Sequence, residues 1–68
     1  MRLHDVYLLV RNDGEEYEIY DSEESAKDRL IELTRQSEDI SEMHEQLIRS
    51  QGFFMENSLN QIEIIYIP

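Results

Sequence analysis

The side chains of this chain that could do chemistry are mostly carboxylates. Sixteen of its 68 residues are Asp or Glu against six Lys or Arg, a net charge of -10. Between Asn12 and Ala26 stand Asp13, Glu15, Glu16, Glu18, Asp21, Glu23 and Glu24, with no base among them. Glycoside hydrolysis needs two acids of different pKa facing a substrate cleft, and a chain this short has little room for one. Calcium needs oxygen ligands in a set order. Asn12-Asp13-Gly14-Glu15-Glu16 supplies oxygens without the EF-hand spacing. His4 and His44 lie in no nucleophile context and read as ordinary surface or half-buried histidines. No phosphate loop, nucleotide fingerprint or CxxC pair occurs. The expectation is a protein that is not an enzyme and has no catalytic residues, cofactor or metal.

The remaining chemistry is the negative field. Residues two apart on a strand are about 6.6 Å apart, as for Glu16 and Glu18. Residues four apart on a helix are about 6 Å apart along its axis, as for Glu24 with Asp28, Asp28 with Glu32, and Glu38 with Glu42. Rows of carboxylates at these intervals can stand in for a row of phosphates before a Lys/Arg surface. Like charges at i and i+4 each cost a helix a few tenths of a kcal/mol. A solvated acidic face would tolerate them; a surface for a basic protein would use them. Direct nucleic-acid binding is not expected, because phosphate contact needs clustered bases. Here there is one lysine, Lys27, and the arginines are scattered.

These acids must be held by a small fold. A chain of this size is marginally stable alone and commonly relies on disulfides, a metal or oligomerisation. Cysteine is absent, so a homodimer is the staple most available. Hydrophobic residues make up 40% of the chain in periodic runs, which argues for a folded protein rather than a disordered acidic one. No run approaches the roughly 20 apolar residues of a membrane helix, and Met-Arg-Leu-His-Asp is followed by no signal core. A cytoplasmic protein with no membrane partner is expected.

Leu3 to Val10 reads as a strand, Asn12-Asp13-Gly14 as a turn, and Glu15 to Tyr20 as a second strand, together a hairpin. Asp21 or Ser22 can cap a helix over about Glu23 to Gln36, with Glu24 at the capping-box distance from Asp21. Asp39 with Glu42 is a second capping-box candidate, before a helix over about Ile40 to Gln51 that ends at Gly52; the two helices could also be one bent helix. Glu56 to Asn60 is turn-like, Gln61 to Ile67 is a strong final strand, and Phe53 to Met55 pairs with it as a short extra one. The fold class expected is α+β over residues 1–68 as a single domain. It has an antiparallel sheet of three to four strands, in the order β-β-α-α-β, with the helices packed on one face.

A helix layer covers one side of a sheet. Val6, Leu8, Val10, Tyr17 and Ile19 suit the covered side. Tyr7, Leu9 and Tyr20 are then left on the other, with Ile65 and Ile67 from the last strand. These five are the expected self-association residues. The last strand is apolar on both faces, so it is either central and buried on both sides or part of a contact between copies.

In size, lack of cysteine, deep acidity and compact α/β pattern the chain resembles the DNA-mimic proteins, small acidic inhibitors encoded mainly by bacteriophages. The resemblance is one of character rather than motif. It implies an inhibitor acting in the host cytoplasm, occupying the DNA-binding surface of a basic host protein, with the nucleoid protein HU as the specific candidate. The residues come from the spacing of the acids. Glu15, Glu16, Glu18, Asp21, Glu23, Glu24, Asp28 and Glu32 form one side of the partner surface, and Glu38, Asp39, Glu42 and Glu45 form another. The rival reading is an adaptor or structural interaction module that binds through apolar surface such as Phe53, Phe54, Tyr66 and Ile67. A third is an antitoxin-like neutraliser of a basic toxin.

Overall fold

The computed structural model of the protein describes residues 4–56 and 60–68. The expected strand start at Leu3 and the turn residues Asn57, Ser58 and Leu59 lie outside them. Strand β1 (Val6–Arg11) leads through a short 3-10 turn (Asn12–Gly14) into β2 (Glu16–Tyr20). Helices α1 (Glu23–Ser37) and α2 (Glu42–Gln51) follow, then β3 (Phe53–Met55) and β4 (Gln61–Ile67). All strand pairs are antiparallel, in the order β2-β1-β4-β3. The protein is therefore an α+β fold with two helices on a four-stranded sheet. Its 16 Å short axis leaves room for one sheet and one helix layer.

Local signals set the element ends. Asn12 (φ 55°) and Gly14 (φ 93°) take left-handed conformations that a tight hairpin needs and that Asn and Gly tolerate best. Ser22, rather than Asp21, caps α1 by accepting from the Ser25 backbone N–H at 3.2 Å. Ser41, rather than Asp39, caps α2 by accepting from the His44 N–H at 3.1 Å. In both cases the serine is the residue immediately before the first helical turn, where its oxygen reaches the third N–H on. Residues 38–41 separate the helices, so the single bent helix does not form. Gly52, left-handed at φ 81°, closes α2 by donating its N–H to the Ile48 carbonyl at 2.8 Å.

The core lies between sheet and helices. Leu30, Ile31 and Leu33 of α1 and Ile48 of α2 meet Leu9, Phe54 and Ile62 of the sheet. Tyr20, Ile40 and Ile64 pack at the margin. Thr34 is fully buried, and its hydroxyl is satisfied by donating to the Leu30 carbonyl at 2.8 Å.

The expected assignment of sheet faces is reversed on β1 and β2. In the register, Leu9 sits opposite Glu18 on β2 and Ile64 on β4, while Leu8 sits opposite Ile19 and Ile65. Leu9 is only 2% exposed under the helices. Tyr7 and Tyr20 share its side of the sheet. Val6, Leu8, Val10, Tyr17 and Ile19 lie on the open side instead, with Ile65 and Ile67. Leu9→Ala should thus cost about 2–5 kcal/mol, and Leu8→Ala clearly less. Urea denaturation of the two variants checks the assignment, and equal losses would contradict it.

Candidate functional site

Edge strand β2, helix α1 and the residues that lead into them carry eight of the twelve predicted acids. Glu15 immediately precedes β2, and Glu16 and Glu18 alternate along its helix-facing side. Asp21 lies in the link to α1, and Glu23 and Glu24 occupy the first helical turn, where the helix dipole favours negative charge. Asp28 and Glu32 are exposed farther along α1. Glu38 and Asp39 stand in the connection between the helices, and Glu42 and Glu45 in the first turn of α2. Since α1 is 15 residues long, about 22 Å, the acids at its start and those just past its end stand that far apart. Between β2 and α1 runs an open cleft of about 480 Å³, lined by Leu9, Arg11, Glu16, Glu18, Arg29 and Leu33 among others.

The bases do not spread evenly over these acids. Arg29 donates from Nε to Glu18 at 3.1 Å and from Nη1 to Glu32 at 2.9 Å, tying α1 to β2. Arg35 grips Glu45 with two bonds of 2.9 and 2.6 Å, and Arg49 of α2 pairs with Asp28 of α1. Lys27 pairs with Glu23 at 2.8 Å, four residues back on the same helix. Arg11 reaches Glu56, just past β3, at 2.6 Å. Every described lysine and arginine is thus engaged by a carboxylate. Among the described residues, Glu15, Asp21, Glu24, Glu38, Asp39 and Glu42 are exposed and have no ion pair. Glu16, also exposed, accepts from the Asn12 side-chain amide at 3.0 Å.

Sequence reasoning missed this division, because the bridges join residues 10 to 45 apart in the chain. The i,i+3 and i,i+4 spacings of Arg29 with Glu32 and Lys27 with Glu23 were the only local signal.

Glu18 is the most structured of the acids. It accepts from the Tyr20 hydroxyl and from Arg29, and both bonds hold its carboxyl below its ordinary value. Burial and the neighbouring carboxylate raise the Tyr20 hydroxyl to about 12, so it stays a donor at any physiological pH. The Arg35 fork lowers Glu45 in the same way.

The apolar candidates divide by side. Phe54 is 6% exposed and belongs to the core, so it is not available to a partner. Tyr66 lies on the helix-covered side, its ring 4.9 Å from that of Tyr7, and its hydroxyl donates to Asp5 at 3.0 Å. Phe53 and Ile67 stand on the open side of the sheet. Met43 and Leu47 repeat with Ile40 and Ile48 at helical spacing, which marks all four as one apolar stripe, but only Ile48 is buried; Met43 and Leu47 are 83% and 53% exposed on the outer side of α2.

Among the described residues no three acids or histidines converge as a metal ion requires, and no helix is long and apolar enough to cross a membrane. Comparison with known proteins finds no matching family model, no matching curated protein and no matching solved structure.

The lowered Glu18 carboxyl makes a prediction about acid stability. Stability from this group is complete above its ordinary value of 4.5 and is lost as pH falls through the lower folded value. Glu18→Gln should cost about 0.5–1 kcal/mol near neutrality, the exposure of the bridge limiting the loss. It should also flatten the fall in stability below about pH 4.5. Denaturation curves at a series of pH values check this, and an unchanged slope would remove Glu18 from the acid response.

Proposed function

We propose that the protein is a non-enzymatic inhibitor that acts as a DNA mimic, its acidic surface occupying the DNA-binding surface of a basic protein. The observation that carries this reading is the surplus of exposed carboxylates left after every described base has been engaged. A Lys/Arg surface approaching the start of β2 and the ends of α1 meets Glu15, Glu16, Asp21, Glu24, Glu38 and Asp39, which have no ion pair of their own among the described residues. The mechanism is competition: carboxylates take the target's positive groups in place of phosphates. The HU type of nucleoid protein is the first target to test, and the setting is the host cytoplasm. The reading includes a homodimer, which doubles the acidic surface. It needs no cofactor and no direct contact with nucleic acid.

Binding of this kind depends on charge and is screened over about 8 Å at physiological ionic strength. Affinity for a purified HU-type protein, measured by calorimetry, should fall steeply between about 50 and 200 mM salt, and duplex DNA should compete. A combined Glu15→Gln, Glu16→Gln, Glu24→Gln variant should bind about tenfold more weakly with a shallower salt slope. Affinity indifferent to salt and DNA would overturn the reading.

The open apolar side of the sheet favours a second reading, an interaction module that binds an apolar partner while its acids confer solubility. That partner would resist salt, and Phe53→Ala would weaken it more than loss of any carboxylate.

A further inference from the structure

The open side of the sheet is apolar across all four strands. Leu8 and Val10 of β1 lie beside Ile65 of β4, flanked by Ile19 of β2 and Phe53 of β3. Ile19, Ile65 and Phe53 are 39%, 41% and 37% exposed, with the helix layer on the other side. Within the strands, Glu63 is the one charged described side chain on this side. It sits opposite Val10 and Phe53 and accepts from the Gln61 amide at 3.1 Å.

Charge decides what covers this face. A basic protein is drawn to β2 and α1, where the unpaired carboxylates are, and the open face offers it a single acid. A second copy brings the same charge-poor face. Stacked face to face, two sheets about 10 Å apart keep both helix layers, with their acids, on the outside. We infer that the open sheet face is the self-association surface, and that two chains stack through it as the two layers of a sandwich. This deepens the homodimer of the proposed function and does not depend on what the acidic surface binds.

The size of the face sets the strength of the pair. Four strands at about 4.8 Å spacing and a seven-residue central strand give a footprint of about 20 by 23 Å. A standard interface buries about 800 Å² per partner. The face is smaller, so the pair forms and separates with concentration rather than permanently. Glu63 weakens it further, because pairing takes a carboxylate out of water against apolar side chains.

Sedimentation velocity of the full chain from about 1 µM to 1 mM tests the inference. Expected is a monomer–dimer equilibrium within that range. Ile65→Lys should leave a monomer throughout, with the native circular dichroism spectrum. Glu63→Gln should tighten the dimer about tenfold, a gain that misfolding cannot produce and that decides the matter if Ile65→Lys does not fold. Met43→Lys, on the outer side of α2, should leave the equilibrium unchanged. A wild-type monomer at every concentration overturns the inference. So does a dimer that survives Ile65→Lys, one lost in Met43→Lys, or one indifferent to Glu63→Gln. Binding of the HU-type protein by a monomeric Ile65→Lys variant would separate the acidic surface from the pairing, and loss of that binding in wild type would leave the dimer result standing.

Discussion

The pairing of β1 with β4 is the constraint on which the rest of the molecule depends. It joins residues 6–10 to residues 63–67, near the two ends of the chain. Everything between must return to the same place, so β2 and β3 attach outside this pair and the helices lie across it. Such non-local closure is paid in loop entropy before any contact rewards it. The pairing also fixes parity. Once Leu9 faces Ile64, every second residue of both strands is committed to the core and the others to the open side. A slip of one residue would exchange the two sets.

That parity explains what was legible in the sequence. The order of elements was readable because β-branched runs, cap residues and Gly52 punctuate the chain plainly. The final strand matched its expected span, and Phe53–Met55 paired with it as anticipated. Which face the helices cover was not readable, because Val6-Tyr7-Leu8-Leu9-Val10 is apolar at every position and gives no alternation to follow. On β2, Tyr17 and Ile19 looked like the core set beside Glu16 and Glu18. The structure places Glu18 on the covered side, where Arg29 of α1, eleven residues away in the chain, supplies its partner. The candidate acids were legible as exposed charge. Their sorting into bridged and unbridged groups was not, since it requires α1, α2 and the sheet to be in place.

The bridges connect stability to the acidic surface. Self-repulsion at this net charge opposes compaction, and Arg29, Arg35 and Arg49 relieve it where elements meet. The same contacts withdraw Glu18, Asp28, Glu32 and Glu45 from the set of free acceptors. Among the described residues, the exposed acids that remain unpaired lie at the beginning of β2, at the two ends of α1 and at the start of α2. The fold thus uses most of its few cations to join one element to another rather than to balance the surface.

The sheet has two free edges, and their construction has a consequence of its own. A free edge can template another chain and let a sheet grow sideways into a fibre. Here β3 is only three residues long, too short to seed a ladder. The other edge, β2, carries Glu16 and Glu18, and an added strand of the same chain would bring its own acids alongside them. Charge on that edge therefore opposes lateral growth while the broad apolar face stays open, so copies that met would be steered toward stacking, which closes, and away from edge addition, which does not.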